Sequence, residues 1–370
     1  MSDELITTEY FRDLFIRNVP FLDVRAKAEF DKGHFPTSYN LPILNDEERH
    51  AVGACFKEKG QKAAIELGHS LVKGDVKEQR INAWCDFALK HKNTHLYCWR
   101  GGMRSNYASQ WMKEKGVRIP RIKGGFKALR NLLVDEIENT AIHVPMILIG
   151  GKTGTSKTVL VNSIKFSTDL EGHANHRGSS FGRRISGVPS QIDFENALGI
   201  DLIKKRELYP NKTLVLEDES RRIGNCTIPI NFLNAMHSSP IGIIEMPMDK
   251  RIKHIVKEYV FDMHKEYLKA YPENGWEIFV EYLTQSLARV QKRLGLERYI
   301  KIRDMMDLAL KDQNITSSTN LHDGWIHCLL SDYYDPMYEY QLRKKSHLIT
   351  FRGSYTEVLE WANQKSNIQI

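Results

Sequence analysis

The chain has 370 residues, 41% of them hydrophobic and 27% charged. These are ordinary globular fractions, which exclude a disordered or collagen-like chain, and at about 150 residues per domain the length predicts two domains. The 53 Lys and Arg outweigh the 46 Asp and Glu, giving a formal charge of +7; that suits a polyanionic partner without specifying one.

The opening Met1-Ser2-Asp3-Glu4 has neither the basic nor the apolar region of a secretory signal. The apolar run over residues 144–149 is far short of the roughly 20 residues a membrane span needs. The five cysteines (Cys55, Cys85, Cys98, Cys226, Cys328) are scattered, and no pair has CxxC spacing, so neither a disulfide framework nor a zinc site is expected. We therefore expect a cytoplasmic protein in a reducing compartment, with no membrane role.

In chain order, the pattern predicts strands at residues 21–24, 94–98 and 117–122 and a helix over 102–115. A closing helix and connector follow over 131–143. Strands are then expected at 146–149, 213–216 and 241–245. From about Lys250 helical periodicity dominates, until a last strand at 348–351. Strands alternating with helices imply parallel α/β sheets. The expected division is residues 1–138 and 139–370, the second with a helical C-terminal region.

The run Cys98-Trp99-Arg100-Gly101-Gly102-Met103-Arg104-Ser105 puts a cysteine where a predicted strand feeds a helix. Loop amides, the helix N-terminus and arginines direct positive charge there, which stabilises a thiolate and holds an anion. Arg100, Gly101, Gly102 and Arg104 form the expected cradle. Residues 45–60, which include Cys55, are expected to shape access to Cys98, with Cys55 itself structural.

Gly150-Gly151-Lys152-Thr153-Gly154-Thr155-Ser156-Lys157-Thr158 follows a predicted strand and opens a helix, the setting of a Walker A loop. Gly151, Thr153, Gly154, Lys157 and Thr158 are the expected diphosphate-binding residues. Ser156 stands where such loops carry glycine, which costs about 1–2 kcal/mol if that position is left-handed. Leu214-Val215-Leu216-Glu217-Asp218 ends in acids, as a Walker B strand does. Thr158 with Asp218, or with Glu217, is the candidate Mg²⁺ site.

His176, Arg177, Arg183 and Arg184, then Arg221 and Arg222, are candidates for phosphate or RNA contacts. His173 has no third ligand nearby, so no metal is expected there. The aromatic run over residues 333–340, with Arg343-Lys344-Lys345, suits either base stacking or plain packing.

Asp23-Val24-Arg25, Glu29-Phe30, Gly33-His34, Pro36, Asn40-Leu41-Pro42 and Lys123-Gly124-Gly125-Phe126 resemble the signature of rhodanese (sulfurtransferase) domains. By that resemblance Cys98 carries sulfur or a heavier chalcogen. Five residues separate Cys98 from Arg104, one more than common rhodanese loops have. A dual-specificity phosphatase loop has the same spacing, and a wider cradle suits a bulkier centre.

A rhodanese-like parallel-sheet domain followed by a P-loop NTPase-like α/β domain resembles the bacterial tRNA 2-selenouridine synthase family. The likeness extends to His176-Arg177-Gly178-Ser179, to residues 216–221 and to the 333–340 run. It implies an enzyme, a transferase acting on the wobble uridine in a tRNA anticodon loop. It further implies S-geranylation of 2-thiouridine by geranyl diphosphate, followed by replacement of the S-geranyl group with selenium from selenophosphate by way of Cys98. It implies tRNA as partner, Mg²⁺ as cofactor and no obligate protein partner. The rival readings are a sulfurtransferase coupled to an ATP-dependent kinase or ATPase, an RNA-binding P-loop module with a structural rhodanese domain, and a phosphatase.

Overall fold

The computed structural model describes residues 5–367. Two compact units make up the chain: residues up to Asn139 together with Ser190–Leu208, and Thr140–Pro189 together with the residues from Tyr209 onward.

The first unit is built on a parallel sheet of β1 (Leu5–Ile6), β2 (Phe21–Asp23), β3 (Ser38–Asn40), β4 (His95–Tyr97) and β5 (Arg121–Ile122), in the order β1-β5-β4-β2-β3. Phe21 pairs with His95 on one side and with Ser38 on the other. Period-two alternation splits the central strands between two cores. Phe21 and Tyr97 join Phe11, Phe15, Phe35 and Phe126. Leu22, Leu96 and Cys98 join Trp84, Trp111 and Met112. Because both faces are covered, β2 and β4 are buried throughout.

Several expectations are adjusted. The strand expected over 117–122 shrinks to β5, because Pro120 has no N–H to add to a ladder, although its carbonyl still accepts from Leu96 N at 2.8 Å. Residues 45–60 belong to a helix, Asp46–Leu71, capped by Asn45 and broken at Gly60 with φ +82°. The closing segment is one helix, Gly125–His143. Helix Gln191–Leu208, expected in the second domain, belongs to the first unit. There Asp193 accepts from His34 N (2.7 Å), Asn196 donates to the His34 carbonyl (2.8 Å), and Ile200 and Ile203 enter the aromatic core.

The second unit holds a parallel sheet of β6 (Met146–Gly151) and β7 (Leu214–Glu217), an antiparallel ribbon of β8 (Arg222–Ile223) and β9 (Cys226–Thr227), and two further sheet strands, β10 (Ile241–Ile244) and β11 (Ile349–Gly353). The sheet order is β11-β10-β6-β7. Ile147, Ile149, Val215 and Ile244 pack with Trp361 of the final helix, Tyr355–Ser366. A second core, with Phe279, Trp325 and Ile326 among its members, joins the helices that lie between β10 and β11 in sequence. Among the described residues no helix is long and apolar enough to cross a membrane.

Candidate active sites

In the first unit β4 delivers Cys98 to a loop braced on the turn that follows β5. The Cys98 carbonyl accepts from Phe126 N (2.9 Å) and the Trp99 carbonyl from Lys127 N (3.1 Å). The loop and turn approach so closely that a Cβ on Gly101 would sit 2.6 Å from the Ile122 carbonyl oxygen. Gly101 also holds φ +63°, so glycine is required there on both counts. The helix Met103–Glu114 starts directly after the loop. Ser105 in its first turn places Oγ 3.3 Å from Cys98 Sγ and donates to the Gly102 carbonyl at 2.9 Å.

Of the expected cradle, Arg100 is exposed and Arg104 is half-buried. Arg104 forms a two-pronged pair with Glu29 at 2.5 and 3.1 Å. Burial pushes the Glu29 carboxyl up, but the hydrogen bonds and charge of Arg104 outweigh it and hold the group below its usual range. The Asp23-Val24-Arg25 motif is a brace. Arg25 is fully buried, grips Asp23 at 2.6–3.0 Å, donates to the Gly33 carbonyl at 2.9 Å and stacks over Phe126 at 4.0 Å.

In the second unit the P-loop runs from the end of β6 into the helix Lys157–Ser163. Lys157 Nζ donates to the Gly151 carbonyl at 2.8 Å. Gly154 has φ +87°, and a Cβ there would meet the Arg251 carbonyl oxygen at 2.9 Å. Ser156 is left-handed at φ 60°, ψ 36°, the conformation that favours glycine. Its Oγ lies 2.7 Å from His254 Nδ1. Arg251 holds the Thr153 carbonyl (2.9 Å) and is itself held by Asp335 (2.5 and 2.8 Å).

A cavity of about 650 Å³ opens over this loop. It brings together Gly151, Thr153, Gly154, Lys157, Thr158, Arg177, Arg184, Asp218 and Arg221. Arg177 Nη1 and Arg184 Nε are buried without a hydrogen-bond partner among the described residues. Buried guanidinium nitrogens in that state suit an anion. Short π-helical segments, Val256–Asp262 and Leu330–Tyr334, place Tyr259 and Tyr334 on the cavity wall. The Tyr259 and Tyr334 hydroxyls meet Ser179 Oγ (3.4 Å) and Ser180 Oγ (2.6 Å). Tyr333 and Tyr334 are thus buried packing residues rather than exposed stacking platforms.

The remaining candidates fall elsewhere. Arg183 and Arg222 are exposed and do not line the cavity. His176 is buried beside Gly224. Burial first, then the charges of Arg183, Arg289 and Arg184, lower its pKa and favour the neutral ring, which makes it a poor phosphate clamp.

Asp218, the expected partner of Thr158, pairs with Lys345 at 2.5 Å. The carboxylates gathered at Thr158 are Glu171, Glu217 and Glu219, which offer oxygen atoms within 4.8 Å of one another. Thr158 Oγ1 is 3.4 Å from Glu171 Oε2, and Glu217 Oε1 is buried without a partner among the described residues. Burial and then mutual repulsion raise all three, Glu171 and Glu217 to about 8 and Glu219 to about 7. This set of hard oxygen donors beside a P-loop threonine fits Mg²⁺. Glu171 has no local motif to announce it: it comes 13 residues after Thr158, on a four-residue helix.

A cysteine loop in a rhodanese-type sheet, followed by a P-loop unit with an arginine-lined cavity, has the architecture of a rhodanese–P-loop transferase. The family model for the tRNA 2-selenouridine synthase AAA domain matches residues 144–369, and that for the rhodanese-like domain matches residues 7–132. A tRNA 2-selenouridine synthase of Pseudomonas fluorescens (strain Pf0-1) is 48% identical over 97% of this chain and 98% of its own length. Namesakes from Marinobacter nauticus and Photobacterium profundum are 47% and 45% identical, covering 97% and 96% of this chain and 98% of their own lengths. The chain belongs to the tRNA 2-selenouridine synthase family, whose members are tRNA-modifying transferases.

Proposed function

We propose that this protein converts 2-thiouridine at the tRNA wobble position to 2-selenouridine in two steps, S-geranylation and then selenation. In the first, the thiocarbonyl sulfur attacks the allylic carbon of geranyl diphosphate and diphosphate leaves with the electron pair of the C–O bond. Lys157, the P-loop amides, Arg177 and Arg184 bind that leaving group. Thr158, Glu171, Glu217 and Glu219 would hold Mg²⁺, which supplies charge neutralisation at the diphosphate when bound. In the second step Cys98 takes the phosphoryl group of selenophosphate and yields it to water as phosphate; selenium leaves as hydrogen selenide with the electron pair of the P–Se bond and adds to C2, and geranyl thiol leaves with the electron pair of the C2–S bond. Arg100 and the loop amides orient the selenophosphate anion. An anticodon base in a single-stranded loop can be turned out for such chemistry.

The observation that carries the first step is the makeup of the P-loop cavity. Unpaired guanidinium nitrogens share it with Val159, Met337 and Leu342, as an anion esterified to an apolar group requires. A competition assay tests it, with inorganic diphosphate, geranyl diphosphate and ATP displacing one another from the full chain. Geranyl diphosphate is expected to bind tightest. Preference for ATP would instead favour a kinase or ATPase.

A further inference from the structure

A second cavity, of about 780 Å³, lies in the first unit beside the Cys98 loop. One wall is Met103, Tyr107 and Trp111, a stripe of the helix that starts at the loop. Facing it are Val52 and Phe56 from before the Gly60 break and Ile65 from after it. Phe56 and Met103 line this space yet are 55% and 36% exposed, so large apolar side chains are held open to it. Arg104 also lines the cavity, and its neighbour Ser105 touches Cys98 Sγ at 3.3 Å. The cavity thus has two facing apolar stripes, with Arg49, His50, Lys57 and His69 also in its lining and Arg104, paired with Glu29, at the end next to the Cys98 loop.

The two apolar stripes suit an apolar chain, and the end at Met103 and Arg104 brings its head towards the Cys98 loop. We propose that this cavity holds the geranyl chain of the S-geranyl nucleoside during selenation. The proposal rests on the two-step reading above and adds the place of the chain in its second step. The volume falls within the roughly 300–1,000 Å³ of ordinary ligand sites, ample for the branched ten-carbon geranyl group. Holding the chain there keeps C2 beside Cys98 and receives the geranyl thiol when the C2–S bond breaks. The broken helix over residues 46–71 thus serves as a specificity element for the departing group.

Two measurements on the full chain test this. In the first, an anticodon stem-loop carrying S-geranyl-2-thiouridine, with a diazirine at the chain end, is photolysed in the protein. Label is expected on peptides within residues 46–71 and 103–111. The second uses Gly53→Trp, because Gly53 lines the cavity and a Cβ there meets nothing within 4 Å. The bulky ring should lower the ratio of S-geranyl to S-methyl stem-loop selenation about tenfold. Label confined to residues 250–345 or to a second copy of the chain, or an unchanged ratio, overturns the proposal. Absence of geranylation and selenation in the wild type would instead refute the two-step reading, and the position of the label would then decide the cavity alone.

Discussion

Ser156 Oγ sits 2.7 Å from His254 Nδ1 while Ser156 holds the left-handed backbone of the P-loop. The side chain that makes the conformation costly also supplies a bond that offsets it, and His254 Nδ1 is also 3.3 Å from the Gly154 carbonyl. Ser156→Ala keeps the backbone cost and loses the bond, so it should destabilise by about 0.5–1.5 kcal/mol. Ser156→Gly loses the bond but also removes a cost of about 1–2 kcal/mol. Its stability should stay within about 1 kcal/mol of wild type. Urea unfolding of the two variants separates these outcomes.

Arg251 and Asp335 form a buried pair whose other duty is to hold the Thr153 carbonyl. Removing one partner strands a buried charge, so Arg251→Met or Asp335→Ala should cost about 3–5 kcal/mol. The double replacement should cost less than the sum. Burial pushes the Asp335 carboxyl up, but Arg251 and Lys152 outweigh it and hold the group below its usual range. Its contribution to stability is then present at neutral pH and lost as pH falls through its lowered folded value. A double-mutant cycle read by denaturant unfolding checks the coupling.

The carboxylates of Glu171, Glu217 and Glu219 titrate in the opposite sense. Their folded values of about 7–8 lie above the ordinary 4.5. The stability they contribute is complete below that ordinary value and is lost as pH rises through about 7–8. Without divalent cations, the melting temperature should therefore fall between about pH 6 and about pH 8.5, and Glu217→Gln should flatten that fall. A cation must displace the protons these groups retain, so the Mg²⁺-induced rise in melting temperature should be larger at the higher pH. A rise independent of pH would place the cation elsewhere.

The chemistry legible in the sequence was that carried by short contiguous motifs. The Cys98 loop and the P-loop each lie between a strand and a helix as their spacing requires. What was not legible depends on distant partners. Glu171 joins Glu217 across 46 positions of sequence, and Arg251 finds Asp335 across 84. Helix Gln191–Leu208 carries no mark of its unit, because its apolar residues would suit either core; Asp193 and Asn196 are told apart from surface polar groups only by their bonds to His34. Which of the two acids ending β7 meets the cluster was likewise not legible. Neighbours along a strand face opposite sides, so Glu217 reaches the carboxylate cluster while Asp218 meets Lys345.

The proposed function divides the labour between diphosphate chemistry at Lys157 and selenium transfer at Cys98. The most direct measurement incubates the wild type, Cys98→Ala and Lys157→Ala with a 2-thiouridine anticodon stem-loop, geranyl diphosphate and selenophosphate, and reads the nucleosides by mass spectrometry. Cys98→Ala should accumulate S-geranyl-2-thiouridine and form no 2-selenouridine, and Lys157→Ala should leave 2-thiouridine unchanged. Normal selenation by Cys98→Ala, or wild-type geranylation by Lys157→Ala, would contradict it.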